Sequence, residues 1–216
     1  MFGATQQHLH SVDGEGNIAT LDETPGFHGA DFSANFEYRI HNYSNANTPS
    51  VYTLRNRKGS TVRTLKDNSS LRETLSTCDY SDKTFFTFKN HSGVELNCWQ
   101  ILPSDFDESK SYPVYVAIYG GPGVNTVTDR WGGANLMFYL ALAQEGYIVT
   151  SVDPRGTPLR GRKFEHSTYK ELGKLETEDF IDFAKHLGKK DYVNADRIGI
   201  QGWSYGGFMT LLCMTK

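Results

Sequence analysis

Two patterns of apolar and polar positions divide the chain. Through residue 75, short runs of alternating character recur: Ile18-Ala19-Thr20-Leu21, Phe36-Glu37-Tyr38-Arg39-Ile40, Ser50-Val51-Tyr52-Thr53-Leu54 and Thr61-Val62-Arg63-Thr64-Leu65. Turn signals separate them, among them Asp13-Gly14-Glu15-Gly16-Asn17 and Arg57-Lys58-Gly59-Ser60. β-Branched and aromatic residues alternating with polar ones suit strands with one covered face. The segment therefore predicts four antiparallel strands. From residue 113 the runs become continuously apolar and are interrupted by helical spacing. Pro113 to Tyr119, Tyr147 to Val152 and Arg197 to Gln201 read as buried strands. Asn135 to Glu145 and Glu176 to Leu187 read as the helices between them. The second helix starts acidic (Glu176, Glu178, Asp179) and ends basic (Lys185, His186), which complements the helix dipole. Strand, helix, strand, helix, strand implies a largely parallel α/β sheet.

Between these regions, Asn68 to Glu73 predicts a short helix with Ser70 and Glu73 at capping-box spacing. Thr84 to Phe88 and Val94 to Ile101 flank His91-Ser92-Gly93 and predict a hairpin. Four short antiparallel strands suit one blade of a β-propeller. No internal repeat is visible, so a whole propeller is not predicted, and a single blade cannot bury its faces alone.

Composition narrows the function classes. The 216 residues are 38% hydrophobic and 13% aromatic, enough for a folded core. No apolar run is long enough for a membrane segment, and no secretory signal is visible. With 22 basic and 25 acidic side chains the net charge is −3, without the basic excess of a nucleic-acid binder. Cys78, Cys98 and Cys213 show no metal spacing, and their odd number favours free thiols over a Cys78–Cys98 bridge. His8 and His10 fall on one face of an extended segment, but no third ligand pattern accompanies them, so no metal site is expected.

The candidate chemistry lies at Gly202-Trp203-Ser204-Tyr205-Gly206, a G-x-S-x-G match. It follows a predicted buried strand and precedes the apolar, helix-like Phe208 to Leu212. That is the strand–elbow–helix setting in which a serine nucleophile projects above a sheet. Glycines at 202 and 206 let strand and helix approach closely. The helix N-terminus favours negative charge where an oxyanion forms, and the Tyr205 backbone N–H is one donor to it. Tyr119-Gly120-Gly121-Pro122-Gly123 follows the first buried α/β strand, at the place of the second oxyanion donor. There the Gly-Gly pair brings backbone close to a substrate, or the Tyr119 phenol donates. The segment reads equally as a plain turn ending in a strand aromatic.

Taken in order, Tyr119-Gly-Gly-Pro, Asp153-Pro154-Arg155-Gly156, Glu176-Thr177-Glu178-Asp179 and Gly202-Trp-Ser-Tyr-Gly-Gly207 resemble the prolyl oligopeptidase family of serine peptidases. The resemblance covers nearly the whole chain. It implies an α/β fold class: a partial α/β-hydrolase fold with a mostly parallel sheet, preceded by antiparallel strands of a propeller blade. The domains it implies are a C-terminal blade at residues 1–76 and the N-terminal part of the catalytic domain at 77–216. Within the family the chain resembles the dipeptidyl peptidases, which implies removal of Xaa-Pro dipeptides from peptide N-termini. It implies Ser204 as nucleophile, with the Tyr119 hydroxyl and the Tyr205 backbone holding the oxyanion. No cofactor is implied. A peptide substrate, a homodimer in the full-length protein and a secreted, periplasmic or membrane-anchored location are. Asp153 and Arg155 match a family motif read as a turn with a structural ion pair. Trp203 either lines the leaving-group side or packs the elbow.

A serine hydroxyl needs a base, and in α/β-hydrolases the order is Ser, then Asp or Glu, then His. All seven histidines precede Ser204. The resemblance places the triad Asp and His beyond residue 216, and the acids that hold a substrate N-terminus before residue 1. The chain alone is therefore expected to be inactive. Three further readings stay open: an acylaminoacyl-peptidase or oligopeptidase relative, a non-catalytic binding protein with the same elbow, and a simple esterase.

Overall fold

A computed structural model describes residues 3–216. The described residues form two compact units. One runs to Asp79 and takes in Thr128–Leu136; the other consists of Tyr80–Val127 and Met137–Lys216. The excursion at 128–136 leaves no mark in the hydrophobic pattern.

In the first unit, β1 (His10–Val12) and β2 (Ile18–Thr20) pair only with each other. Asp13 closes their turn, one carboxylate oxygen accepting the backbone N–H groups of Glu15 and Asn17, each at 2.9 Å. The four-stranded antiparallel sheet is β3 (Phe27–Phe32), β4 (Tyr38–Asn45), β5 (Thr48–Asn56) and β6 (Thr61–Lys66), in that spatial order. Its first strand is thus not the 18–21 run. Phe27 to Phe32 escaped the hydrophobic pattern because its buried side chain is a histidine, His28, which is hydrogen-bonded to buried His41 on β4 at 3.0 Å. β4 also begins two residues later than the apolar run suggests, since Phe36 sits in the preceding turn at φ 56. Tyr38, Ile40, Tyr52, Val62 and Leu65 stay exposed.

The helix after β6 is α1 (Ser69–Leu75), but the capping box is absent. Asn68 takes the N-cap in the left-handed region, which Asn tolerates, and sends its side-chain amide to the Ser50 carbonyl at 2.7 Å. Asp67 meets the helix instead, accepting the Ser69 N–H at 3.0 Å, and Ser70 lies inside the first turn.

The second unit opens with the predicted hairpin, β7 (Thr84–Lys89) and β8 (Glu95–Ile101). Asn90 shapes its turn by accepting the N–H groups of Ser92 and Val94 on its side chain. Then come β9 (Tyr112–Ile118), α2 (Gly133–Gln144, of which Gly133 to Leu136 count with the first unit), β10 (Ile148–Val152), α3 (Arg162–Glu165), α4 (Leu175–Leu187), β11 (Val193–Gly202) and α5 (Tyr205–Thr215). The sheet order is β11-β9-β10-β8-β7. β9 pairs in parallel with both β10 and β11, as their alternation with helices implies, and the hairpin extends the sheet antiparallel.

β10 is buried along its whole length, and β9 nearly so; β11, expected to be buried, is instead exposed or half-buried from Asn194 to Gly202, because it lies at the edge of the described sheet. Phe180, Phe183 and Leu187 form one stripe of α4 at spacings of three and four, and with Met209 of α5 they complete the core over Val114, Val116, Ile118 and Ile148. The Phe183 ring lies 5.1 Å from that of Phe88. Because β10 and β11 flank β9 on opposite sides, the connections leaving β9 and β11 diverge at adjacent strand ends. In α/β sheets such a switch point is where ligands bind.

Candidate active site

At that switch point stands Ser204, between the last residue of β11 and the first of α5. Its φ of 55° and ψ of −120° are values a non-glycine residue rarely adopts, a strain of roughly 1–3 kcal/mol that surrounding packing must impose. The strain is sustained by two close approaches. A Cβ on Gly202 would run into the Gly206 backbone, and one on Gly206 would sit 2.5 Å from the Ile118 carbonyl oxygen. Ser204 is the N-cap of α5 by its backbone carbonyl, which accepts the Phe208 N–H, while its side chain makes no capping bond. The hydroxyl is left for other chemistry. Trp203 is 84% exposed, so the elbow-packing role is not the one it takes.

The β9–β11 register sets Ile118 opposite Gly202, which brings the next residue, Tyr119, beside the elbow. The rings of Tyr119 and Tyr205 are 6.1 Å apart. Both lie over Gly121, where a Cβ would come within 2.6 Å of Tyr119 Cε1 and 3.1 Å of Tyr205 Cγ. Gly120, at φ 73, packs just as tightly against Phe180 and Pro154. The three residues expected at the site are therefore neighbours, and the glycines between them serve close packing.

The connection after Gly121 is pinned by Asp153. This carboxylate, 2% exposed, accepts Thr126 N–H at 2.8 Å, Thr126 Oγ1 at 2.7 Å, Val127 N–H at 3.1 Å and Asn125 Nδ2 at 3.1 Å. Burial raises its pKa, and those donors pull the other way. Arg155 makes the ion pair expected of the motif. Its guanidinium lies 2.8 Å from Asp179 and 3.2 Å from Glu178, and its backbone N–H donates to Asp179 at 2.7 Å. Asn90 gives the fully buried Asp179 another donor at 2.7 Å, tying the hairpin turn to α4.

Glu176, one turn earlier, is 1% exposed and accepts the Tyr205 phenol O–H at 2.7 Å and the Gly173 N–H at 3.0 Å. Burial first, and then this carboxylate, hold the Tyr205 phenol pKa well above its usual value. The acidic start of α4 looked like a dipole complement in the sequence. Two of its three carboxylates instead point inward onto specific donors, a distinction that spacing alone does not carry.

The histidines lie elsewhere. His91 binds Asp182 at 2.5 Å on the surface, His166 is exposed, and His186 is half-buried against Phe88 at 5.3 Å. Burial, with Lys190 and Lys189, lowers the His186 pKa. His8 and His10 form no ligand pair: His10 meets Thr20, whereas His8 stacks on His28. One group has metal-like spacing, Asp22 with His28 and His41. Its charges do not suit a cation. Arg55 already binds the Asp22 carboxylate at 2.7 Å, and Arg39 lies at 3.8 Å from the same oxygen. His28 gives its Nε2–H to the Thr24 carbonyl at 2.7 Å, which leaves Nδ1 to accept from His41 at 3.0 Å. This is a closed hydrogen-bonded stack. The three cysteines are free.

Among the described residues no helix is long and apolar enough to cross a membrane. The model of the prolyl oligopeptidase family matches residues 134–216. The chain is 36% identical to dipeptidyl peptidase 4 of Arthroderma otae over 99% of its own length and 28% of that relative. It is 37% identical to dipeptidyl peptidase 4 of Trichophyton equinum over 97% of its own length and 28% of that one. The crystal structure of Porphyromonas gingivalis dipeptidyl peptidase 4 superposes with a TM-score of 0.92 at 40% identity, over 97% of this chain and 30% of that one. The chain thus spans under a third of the length of the relatives it matches. The fold class is α/β, with a partial α/β-hydrolase fold preceded by antiparallel strands of a propeller blade. The chain belongs to the prolyl oligopeptidase family.

Proposed function

We propose that the protein is a serine peptidase that removes Xaa-Pro dipeptides from peptide N-termini through an acyl-enzyme on Ser204. The observation that carries this reading is the strained Ser204 elbow, with a side chain that takes no part in capping α5. Ser204 Oγ attacks the scissile carbonyl, and its proton passes to a general base. The carbonyl oxygen becomes an oxyanion at the N-terminus of α5, where the Tyr205 N–H and the Tyr119 phenol donate to it. Collapse of the tetrahedral intermediate expels the amine of the shortened peptide, and water then releases the dipeptide from the serine ester. Each donor of this kind is worth about 10²- to 10³-fold in kcat.

Residues 1–76 are assigned to a C-terminal propeller blade and 77–216 to the first part of the catalytic domain, with a homodimer as the working assembly. Relatives bearing the dipeptidyl peptidase 4 name support the substrate class. The test is turnover of an Xaa-Pro chromogenic substrate by the full-length protein and by its Ser204→Ala variant. Loss of turnover in the variant supports the reading; undiminished turnover removes Ser204 from the mechanism.

A further inference from the structure

Glu176 is a carboxylate almost wholly removed from water, and no cation forms an ion pair with it among the described residues. An ionised carboxylate in such a place needs donors to offset its lost hydration. It has two, and they come from different directions. The Gly173 N–H fixes one oxygen from the loop before α4, and the Tyr205 phenol fixes the other from α5. Gly173 itself is locked at φ 89, with Leu212 and Phe208 of α5 packed against its Cα. The carboxylate is thereby held rigidly, and it holds the phenol in turn.

That phenol belongs to the residue after Ser204. Its ring packs on Phe208 at 5.7 Å and on Tyr119 at 6.1 Å, and it covers Gly121 together with Tyr119. A Tyr205 ring free to rotate would open the space over Gly121 and let the Tyr119 ring shift. Both groups assigned to the oxyanion would then move, one through its backbone and the other through its hydroxyl.

We propose that Glu176 is a positioning residue for the reaction of Ser204, fixing the Tyr205 phenol and, through that ring, the Tyr119 ring in the arrangement the oxyanion requires. The proposal rests on the reading of Ser204 as nucleophile. It makes Glu176 act through Tyr205 and without touching substrate, so its loss lowers kcat and spares KM.

The experiment uses the full-length protein and an Xaa-Pro chromogenic substrate, with Tyr205→Phe, Glu176→Ala, Glu176→Gln and the double variant Glu176→Ala/Tyr205→Phe. Thermal unfolding monitors folding. Glu176→Gln keeps an acceptor oxygen for the phenol and covers the case in which Glu176→Ala does not fold. The expected result is a fall in kcat of about tenfold in Tyr205→Phe and Glu176→Ala, with KM within about twofold. Glu176→Gln should lie between these and the wild type. The double variant should be no slower than the slower single one, since both remove one interaction. Unchanged kcat in Tyr205→Phe and Glu176→Gln, or fully additive losses in the double variant, overturns the proposal. Ser204→Ala run in parallel separates the two levels. If it is inactive while the Glu176 variants are unimpaired, only the positioning role fails. If it remains active, the nucleophile reading fails and takes this proposal with it.

Discussion

Gly206 lies so close to Ile118 that a methyl group on its Cα would stand 2.5 Å from the Ile118 carbonyl oxygen. This approach seats the first turn of α5 on the end of β9, and it bends the chain at Ser204 through φ 55. The elbow is therefore made by backbone contact, with Gly202 and Gly206 facing each other across it.

Gly206→Ala should destabilise the fold by about 1–3 kcal/mol, because the clash is with main chain that cannot swing aside. Urea unfolding of the chain measures it directly. Unchanged stability would mean that the elbow has room the geometry denies. Gly207, whose Cβ would meet only Gly202 oxygen at 3.4 Å, is the milder comparison.

Asp153→Asn should free the segment from Asn125 to Val127. The asparagine offers one oxygen and a donor NH2 to a set of groups that are all donors, so two of the four bonds to residue 153 are lost, one of them from a backbone N–H of Thr126 or Val127. A loss of about 2–4 kcal/mol follows from unsatisfied buried groups of this kind. Hydrogen exchange should accelerate first at Thr126 and Val127. Protection that remains at wild-type level there would show that something other than Asp153 secures the loop.

His41 should make the chain less stable in mild acid. Burial first, and then Arg55, hold its pKa down at about 4, below the ordinary histidine value of 6.5. The unfolded chain therefore binds a proton between these values that the folded chain does not. Stability contributed by neutral His41 is complete above pH 6.5 and is lost as the pH falls toward 4. His186 shifts the same way, so the comparison with His41→Gln isolates the effect. The melting temperature of the variant should change less between pH 7 and pH 4.5 than that of the wild type. Equal slopes would place the titration elsewhere.

Legibility in the sequence followed the kind of burial. β9 and β10 were evident because parallel strands covered on both faces are continuous apolar runs; β11, at the edge of the described sheet, alternates exposed and half-buried residues instead, and the elbow at Ser204 was evident because its glycines keep fixed places around it. β3 was not, because its inward residue is His28, whose partner His41 is a polar residue on the next strand. The capping box failed because Ser70 and Glu73 have the right spacing two residues too late, with Asp67 and Asn68 at the actual boundary. Glu176 was visible only as one charge of an acidic helix start. Its role depends on a loop glycine and a tyrosine 29 positions later, an arrangement that only the fold brings together.

The central claim is that Ser204 carries the acyl group. Full-length protein should be mixed with an Xaa-Pro ester, quenched in acid within the burst phase and digested for peptide mass spectrometry. The account predicts a dipeptidyl adduct on the peptide containing Gly202-Trp203-Ser204-Tyr205-Gly206, formed at the rate of the burst and absent in Ser204→Ala. Turnover without an adduct on that peptide, or an adduct that persists in Ser204→Ala, would contradict it.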